Sequence, residues 1–240
     1  MIPLRDANPT RQTPIVTIGL IVACALVFVF ELSRLASGGD RALAPVVIEW
    51  GIVPVELVAA LRSGAWLSQE TATLVTSQFL HGGWLHLAGN LLFLWIFGNN
   101  IEDRFGRLAF LGFYLLGGVV AGLTQVAIAP DSTIPTIGAS GAIAAVLGAY
   151  LVLYPRARVT SLVFLVFFYQ LIDVPAIVVL ALWFVLQLVD GLASLGVADA
   201  ATSGGVAFFA HIGGFVFGAL VALAVRAWTA AGGRAPRAVG

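Results

Sequence analysis

Four polar side chains interrupt apolar stretches of this sequence, and their chemical types suit acyl transfer. Ser140 lies in the tetrapeptide GASG and His211 in the pentapeptide AHIGG. His86 and Asn90 are four residues apart, which places them on one face of a helix. A neutral imidazole can accept the serine proton as the hydroxyl attacks a carbonyl. The other histidine and the asparagine can donate hydrogen bonds to the oxyanion that then develops.

The composition indicates what kind of protein must hold these groups. The chain has 240 residues, of which 60% are hydrophobic and 10% charged, with 12 basic and 12 acidic residues. Soluble domains contain about a quarter charged residues, so the composition excludes a soluble globule, a disordered chain and a nucleic-acid binder with a basic face. A bilayer core of ~30 Å needs roughly 20 apolar residues per helix, which leaves room for about six or seven crossings.

Six apolar segments are predicted to cross the bilayer as helices. They are residues 14–32, 84–97, 108–128, 140–154, 176–195 and 206–228. The first segment is longer than the ~7 to 15 apolar residues of a secretory signal, so we expect a retained helix. We therefore expect one membrane domain over residues 14–228, with a cytoplasmic leader at 1–13 and a cytoplasmic tail at 229–240.

Two segments between the predicted spans also carry apolar residues. The first external loop, residues 33–78, contains an amphipathic stretch at 46–61 that has too many charges to span, and we place it at the membrane interface. The apolar run 159–172 is short, which favours a re-entrant or interfacial segment over a seventh span. Six spans with an inside N-terminus also leave most arginines on the cytoplasmic side, as expected for a membrane protein. The external arginines are then Arg34, Arg41 and Arg62.

This topology places the four polar residues at a similar depth, near the outer membrane surface. His86 and Asn90 lie in the first two turns of span two, which runs inward. Ser140 begins span four, and His211 lies about a turn and a half into span six. Polar residues inside a bilayer are functional candidates by default. No acidic residue lies in these three spans, so we expect a Ser/His dyad without the carboxylate of a triad.

Small residues on spans four and six predict that these two helices pack closely. They are Gly141, Ala145 and Gly148 on span four, and Gly214 and Gly218 on span six. Close packing would allow a direct hydrogen bond between Ser140 and His211.

The ordered combination of these residues resembles the bacterial rhomboid family of intramembrane serine proteases. The matching motifs are His81-x4-His86-x3-Asn90, EDRFG at 102–106, GASG at 138–141, and AHIGG at 210–214 followed by Gly218. The resemblance implies an all-α polytopic membrane protein, a six-transmembrane-helix rhomboid-like bundle with a half-inserted first external loop. It implies Ser140 as the nucleophile and His211 as the base. It implies His86 and Asn90 as the oxyanion donors.

The resemblance also implies an activity and a location. We expect a serine endopeptidase that hydrolyses peptide bonds in or near transmembrane segments, with no cofactor and no metal. Its expected partners are transmembrane protein substrates and the lipid bilayer of a bacterial inner membrane, with both termini cytoplasmic. One departure is Ala144, because many family members carry there an aromatic ring that stacks on the histidine. The sequence therefore leaves open what positions the ring of His211, and it also leaves open the role of His81.

The loop at 196–205 is rich in alanine and glycine and is placed above His211. A segment of this kind can move easily. We expect it to cap a water-filled cavity that is open to the outside, and to shift with span five when substrate enters.

Two other functions are compatible with the same residues. The polar cluster could hold a substrate or relay protons in a non-proteolytic binding or transport protein. Alternatively, His81, His86 and His211 could hold a catalytic zinc ion. The sequence has no HExxH motif and no nearby acidic residue to act as a base for that chemistry.

Overall fold

The structure is a computed structural model that describes residues 1–165, 168–194 and 207–232. The helices are Ile15–Gly38 (α1), Asp40–Trp50 (α2), Pro54–Arg62 (α3), Gln69–Thr76 (α4), Trp84–Phe93 (α5), Asn99–Phe105 (α6), Arg107–Ile128 (α7), Ser140–Leu153 (α8), Ala176–Ser194 (α9) and Phe208–Ala230 (α10). The strands are Ile2–Asp6 (β1), Arg158–Leu165 (β2) and Phe168–Pro175 (β3). A 3-10 turn at Ser77–Phe79 precedes α5, and a π-helical turn at Leu94–Gly98 joins α5 to α6. The predicted capping loop at 196–205 lies outside the described residues.

Each of the six segments predicted to span the membrane contains a helix. Four of these helices, α1, α7, α9 and α10, are long and apolar enough to cross a bilayer. The segments Gln69–Phe79 and Trp84–Phe105 pass the same test together but are bent by 80°. The described residues thus contain four or five candidate spans, and the predicted helical, multi-pass architecture is confirmed. The count of six crossings and the half-insertion of the first external loop stay predictions.

Helix α8 lies at the centre of the bundle. All its residues from Gly141 to Tyr150 are buried, which is typical of a helix surrounded by other helices. With a rise of ~1.5 Å per residue, the helix is about 21 Å long, less than the ~30 Å of a bilayer core. A helix of this length cannot reach both membrane surfaces. At least one of its ends therefore lies inside the protein.

Helices α8 and α10 contact each other through their backbones, as their small residues predicted. A Cβ atom on Gly214 would collide with the carbonyl oxygen of Gly141, and one on Gly218 would collide with the carbonyl oxygen of Ala145. A Cβ atom on Gly148 would likewise collide with the carbonyl oxygen of Phe215. Only hydrogen atoms fit at these positions, so the glycines set the separation of the two helices.

The first external loop is tied to the segment that leads into α8. Ile52 and Thr136 exchange two backbone hydrogen bonds of 3.0 and 2.8 Å. The backbone N–H of Gly138 donates to the carbonyl oxygen of Ser77 at 2.9 Å. The side-chain amide of Gln78 donates to the carbonyl oxygen of Leu115 on α7 at 3.1 Å. The bonds of Thr136 and Gly138 fix the backbone immediately before Ser140, and the bond of Gln78 ties the end of the loop to α7.

A three-stranded antiparallel sheet, ordered β1-β2-β3, adds a feature that the sequence analysis did not predict. The described part of the run 159–172, for which we expected a re-entrant or interfacial segment, lies in strands β2 and β3, which pair antiparallel. The leader at 1–13 contributes β1, in which Ile2 pairs with Leu162. The carboxylate of Asp6 at the end of β1 accepts hydrogen bonds from Tyr150 on α8 at 2.6 Å and from Asn100 on α6 at 2.8 Å.

Candidate active site

Ser140 and His211 face each other where α8 and α10 meet. The Oγ atom of Ser140 lies 2.8 Å from Nε2 of His211, which is hydrogen-bond distance. The histidine side chain is 7% exposed, and the serine is partly buried. The contact of Gly214 with the carbonyl oxygen of Gly141 lies close to this pair, because Gly141 follows Ser140 directly and Gly214 comes three residues after His211. The close helix packing therefore brings the hydroxyl and the imidazole together directly.

The start of α10 is held by a polar side chain of α7. Gln125 accepts a hydrogen bond from the backbone N–H of Ala210 at 3.3 Å. The first N–H groups of a helix have no partner within the helix, so a side-chain acceptor from a neighbour stabilises that end. This bond fixes the backbone at the residue before His211.

Two residues of α9 contact the other side of the His211 ring, and the sequence analysis identified neither of them. The Nδ1 atom of His211 lies 2.6 Å from Oε1 of Gln187. The indole ring of Trp183 lies with its centroid 5.8 Å from that of the imidazole, at an interplanar angle of 37°. One feature of the sequence could have identified them, namely a glutamine inside an apolar span that follows a tryptophan by one helical turn.

His86 lies next to the backbone that leads into Ser140. A Cβ atom on Gly138 would be 2.7 Å from Cε1 and 2.8 Å from Nε2 of His86, and 3.6 Å from Oγ of Ser140. Gly138 has φ +123°, which favours glycine for its conformation as well as for space. The backbone N–H of Gly82 donates to Nδ1 of His86 at 3.3 Å. The neutral ring then carries its proton on Nε2, at the edge that faces Gly138.

Asn90 lies one turn after His86 on α5 and is 7% exposed. Its amide nitrogen Nδ2 is buried, and no hydrogen-bond acceptor lies within reach of it in the part of the chain that the structure describes. Most buried polar groups in proteins have a partner, so such a donor calls for an explanation. The first turn of α8 adds backbone N–H groups and the positive end of its helix dipole at Ser140.

His81 lies just before α5 and contacts both α1 and the ring of His86. Its backbone N–H donates to both carboxylate oxygens of Glu31 on α1, at 3.2 and 3.1 Å. Its ring packs edge-on against that of His86, with centroids 5.3 Å apart. Burial, together with the nearby His86, lowers the pKa of His81 to about 4, so this ring is neutral at physiological pH.

The alternative zinc site requires His81, His86 and His211 to lie around one position. Among the described residues, no group of three His, Cys, Asp or Glu side chains is arranged to hold a metal ion. His81 and His86 lie together. His211 instead bonds Ser140 and Gln187 through its two ring nitrogens.

Beside Ser140 lies a small cavity of about 20 Å³. It reaches from the end of the first external loop to the start of α10. Its lining includes Ser77, Gln78, Gly138, Ser140, Gly141 and Ala207. A polar cavity of this volume holds about one water molecule.

Comparison with known proteins places the chain in a family. A family model described as the Rhomboid domain matches residues 68–228, which is more than half of the chain. This chain belongs to the rhomboid family. The match includes α5, α8, α9 and α10, the four helices that carry the candidate site. This rhomboid is therefore a multi-pass integral membrane protein.

Several named rhomboids are similar to this rhomboid over part of its length. Rhomboid-like protein 11 of Arabidopsis thaliana, a chloroplastic protein, is 41% identical over 69 residues, 29% of this chain and 24% of its own. The mitochondrial Rhomboid protein 1 of Saccharomyces cerevisiae is 32% identical over 96 residues, 38% of this chain and 28% of its own. Rhomboid protease GluP of Bacillus subtilis is 41% identical over 78 residues, 32% of this chain and 15% of its own. The matches thus span between 15% and 28% of the length of these relatives.

Proposed function

We propose that this rhomboid is a serine endopeptidase that hydrolyses peptide bonds in or near transmembrane segments of other membrane proteins. The observation that carries the proposal is the 2.8 Å contact between Oγ of Ser140 and Nε2 of His211. Family membership and the similarity to a protein named as a protease support the same activity.

In the first half of the proposed reaction, Ser140 Oγ attacks the scissile carbonyl carbon while its proton passes to Nε2 of His211. The carbonyl oxygen becomes an oxyanion. We assign its stabilisation to Nε2–H of His86, the amide of Asn90 and the backbone N–H groups at the start of α8. The protonated His211 then gives its proton to the leaving amine, and an acyl-enzyme ester on Ser140 remains.

In the second half, a water molecule loses a proton to His211 and attacks the ester carbonyl. The same donors hold the second oxyanion. The imidazolium then returns its proton to Oγ of Ser140 and releases the carboxylic acid product. The cavity beside Ser140 provides a position for this water.

The substrate class follows from the position of the site within the helical bundle. A transmembrane helix has its carbonyl groups in internal hydrogen bonds, so the target must partly unwind before Ser140 can attack it. We therefore propose single-span membrane proteins with small or helix-weakening residues near the outer membrane face. We place this rhomboid in a bacterial inner membrane, with both termini in the cytoplasm. The arginine distribution supports this orientation.

The proposal is tested with purified protein in detergent. A fluorophosphonate reagent should label wild type at Ser140 and fail to label Ser140→Ala or His211→Ala, and neither of these two variants should cleave a transmembrane substrate that wild type cleaves. Ser37→Ala is a matched control, because that exposed hydroxyl bonds only the carbonyl of Arg34 among the described residues. Strong cleavage by Ser140→Ala would refute the assignment of the nucleophile. If wild type is folded but neither labels nor cleaves, the non-proteolytic alternative is favoured.

A further inference from the structure

We propose that Gln187 is a positioning residue for the base, and that it acts together with Trp183. This inference rests on the proposed protease function. The two residues lie four apart on α9, so they share one face of that helix. Gln187 contacts the Nδ1 atom of His211, and the indole ring of Trp183 lies against the imidazole ring.

The hydrogen bond with Gln187 selects the reactive tautomer of His211. An amide oxygen can only accept, so the 2.6 Å contact requires the proton on Nδ1. The neutral ring then has its lone pair on Nε2, which faces the hydroxyl of Ser140 at 2.8 Å. The opposite tautomer would put an N–H against the serine and would leave the ring unable to accept its proton.

Gln187 holds this position with a neutral acceptor in place of a carboxylate. The base thus has a third group behind it, as in a triad, but this group carries no charge. When His211 takes the serine proton, the amide oxygen still accepts from Nδ1–H. It stabilises the imidazolium less than a carboxylate would.

Trp183 provides the aromatic contact to the His211 ring that Ala144 cannot make. Ala144 on α8 is buried and has no ring to place against the histidine. The indole of Trp183 approaches from α9 and also packs against Phe215 of α10, with centroids 6.0 Å apart. A second α9 ring, Phe184, stacks on the same Phe215 at 4.4 Å. The ring of His211 is therefore positioned from α9, and these aromatic contacts hold α9 against α10.

The outer face of α9 does not share these contacts. Leu182, Val185, Leu186 and Val189 are each about half exposed, as expected for side chains that face lipid. Gln187 lies on the opposite, inward face. Displacement of α9 at this level would separate Gln187 from Nδ1 of His211. The base is thus correctly oriented only while α9 lies against α10.

The test compares two substitutions of Gln187 with one control. Gln187→Met keeps the length of the side chain and removes the acceptor. Gln187→Glu keeps an acceptor and adds a charge. Leu186→Met is the matched control, because it makes a similar change on the exposed face of the same helix.

Kinetics with a transmembrane substrate and the rate of fluorophosphonate labelling give the first readout. Gln187→Met should lower kcat and the labelling rate roughly tenfold, the effect of losing one hydrogen bond of about 1 to 1.5 kcal/mol, with KM nearly unchanged. Gln187→Glu should retain activity and move the acidic limb of the pH profile to higher pH, because a carboxylate stabilises the imidazolium more than an amide does. Leu186→Met should match wild type.

Nitrogen-15 NMR of histidine-labelled protein gives a readout that does not depend on turnover. The chain has 3 histidines, so the signals can be assigned by single substitutions. Wild type should show His211 protonated at Nδ1, and Gln187→Met should show a mixture of tautomers. If Gln187→Met is folded with unchanged kcat, labelling rate and tautomer, the inference is wrong.

If Gln187→Met does not fold, an unshifted acidic limb in an active Gln187→Glu variant overturns the inference equally. A wild type that shows the Nδ1–H tautomer but neither labels nor cleaves would instead refute the proposed protease function.

Discussion

Replacing Asn90 with alanine separates a catalytic role from a structural one, because the structure predicts opposite effects on rate and on stability. The amide nitrogen Nδ2 of Asn90 is buried and has no acceptor among the described residues. Its removal therefore breaks no hydrogen bond of that atom in the described structure. If the amide instead serves the oxyanion, its removal must slow the reaction.

The loss of the Asn90 amide has separate effects on kcat and on the free energy of unfolding. Losing one oxyanion donor typically lowers kcat about 10² to 10³-fold, or about 2.7 to 4 kcal/mol in the transition state. For stability, the deleted amide leaves a cavity of roughly 40 Å³, which at about 24 cal/mol per Å³ destabilises the fold by about 1 kcal/mol. Removing a buried donor without a partner stabilises it by about 1 to 3 kcal/mol. The free energy of unfolding of Asn90→Ala should therefore equal or slightly exceed that of wild type.

Asn100→Ala is the matched control, since it changes the same residue type at a buried position away from the site. Its Nδ2 atom donates to Asp6 at 2.8 Å and to Asn99 at 2.8 Å. This variant should lose about 1 to 3 kcal/mol of stability and keep the wild-type kcat. Thermal unfolding in detergent and kcat on a transmembrane substrate measure both quantities. Should Asn90→Ala unfold readily while its folded fraction keeps a normal kcat, the donor role is refuted.

Three further predictions concern the dyad, the helix contact and substrate entry. Ser140→Ala and His211→Ala should each abolish turnover, and the double variant should lose little more than either single one, because attack and proton removal are one event; additive losses in kcat would contradict this. Gly218→Ala should destabilise the fold by about 1 to 3 kcal/mol in thermal unfolding, because its new Cβ atom meets the carbonyl oxygen of Ala145. The control Gly112→Ala on α7 has open space for its Cβ atom and should be neutral or slightly stabilising. Cross-linking the loop at 196–205 to the first external loop should block cleavage of a transmembrane substrate while a small reagent still labels the site. Undiminished cleavage in the fully cross-linked sample would rule out the predicted shift of this loop with span five.

The positions of the helices could be predicted from the sequence because a bilayer imposes one strong constraint. Backbone groups in lipid must be satisfied within the segment, so a long apolar run becomes a helix. The close contact of α8 and α10 could also be predicted, since Gly214 and Gly218 have few other uses in a membrane helix. The number of crossings is harder to predict. Helix α8 is too short for a simple length criterion, and the segments Gln69–Phe79 and Trp84–Phe105 meet at a bend of 80°.

The sheet could not be predicted from local patterns. Strand β1 is a short piece of a polar leader, and its partner β2 follows α8 far along the chain. Pairing between such distant segments depends on the tertiary fold that brings them together. Asp6 illustrates this dependence, because its hydrogen bonds come from Tyr150 on α8 and Asn100 on α6. The hydroxyl and the amide give no local sign of that carboxylate.

The contacts around His211 show which parts of the candidate site are rigid and which can change. Glycine contacts between the backbones of α8 and α10 set the 2.8 Å distance from Ser140 Oγ to Nε2 of His211. The orientation of the His211 ring, by the inference above, depends instead on Gln187 and Trp183, which belong to a helix with much of its surface exposed. A substrate that passes between α9 and its neighbours would change the orientation of the His211 ring first. The distance between Ser140 and His211 would stay the same, because α8 and α10 remain in contact. If Ser140 and His211 are the nucleophile and base proposed above, we expect the site to admit a substrate helix without separating them, and to regain the reactive tautomer when α9 packs against α10 again.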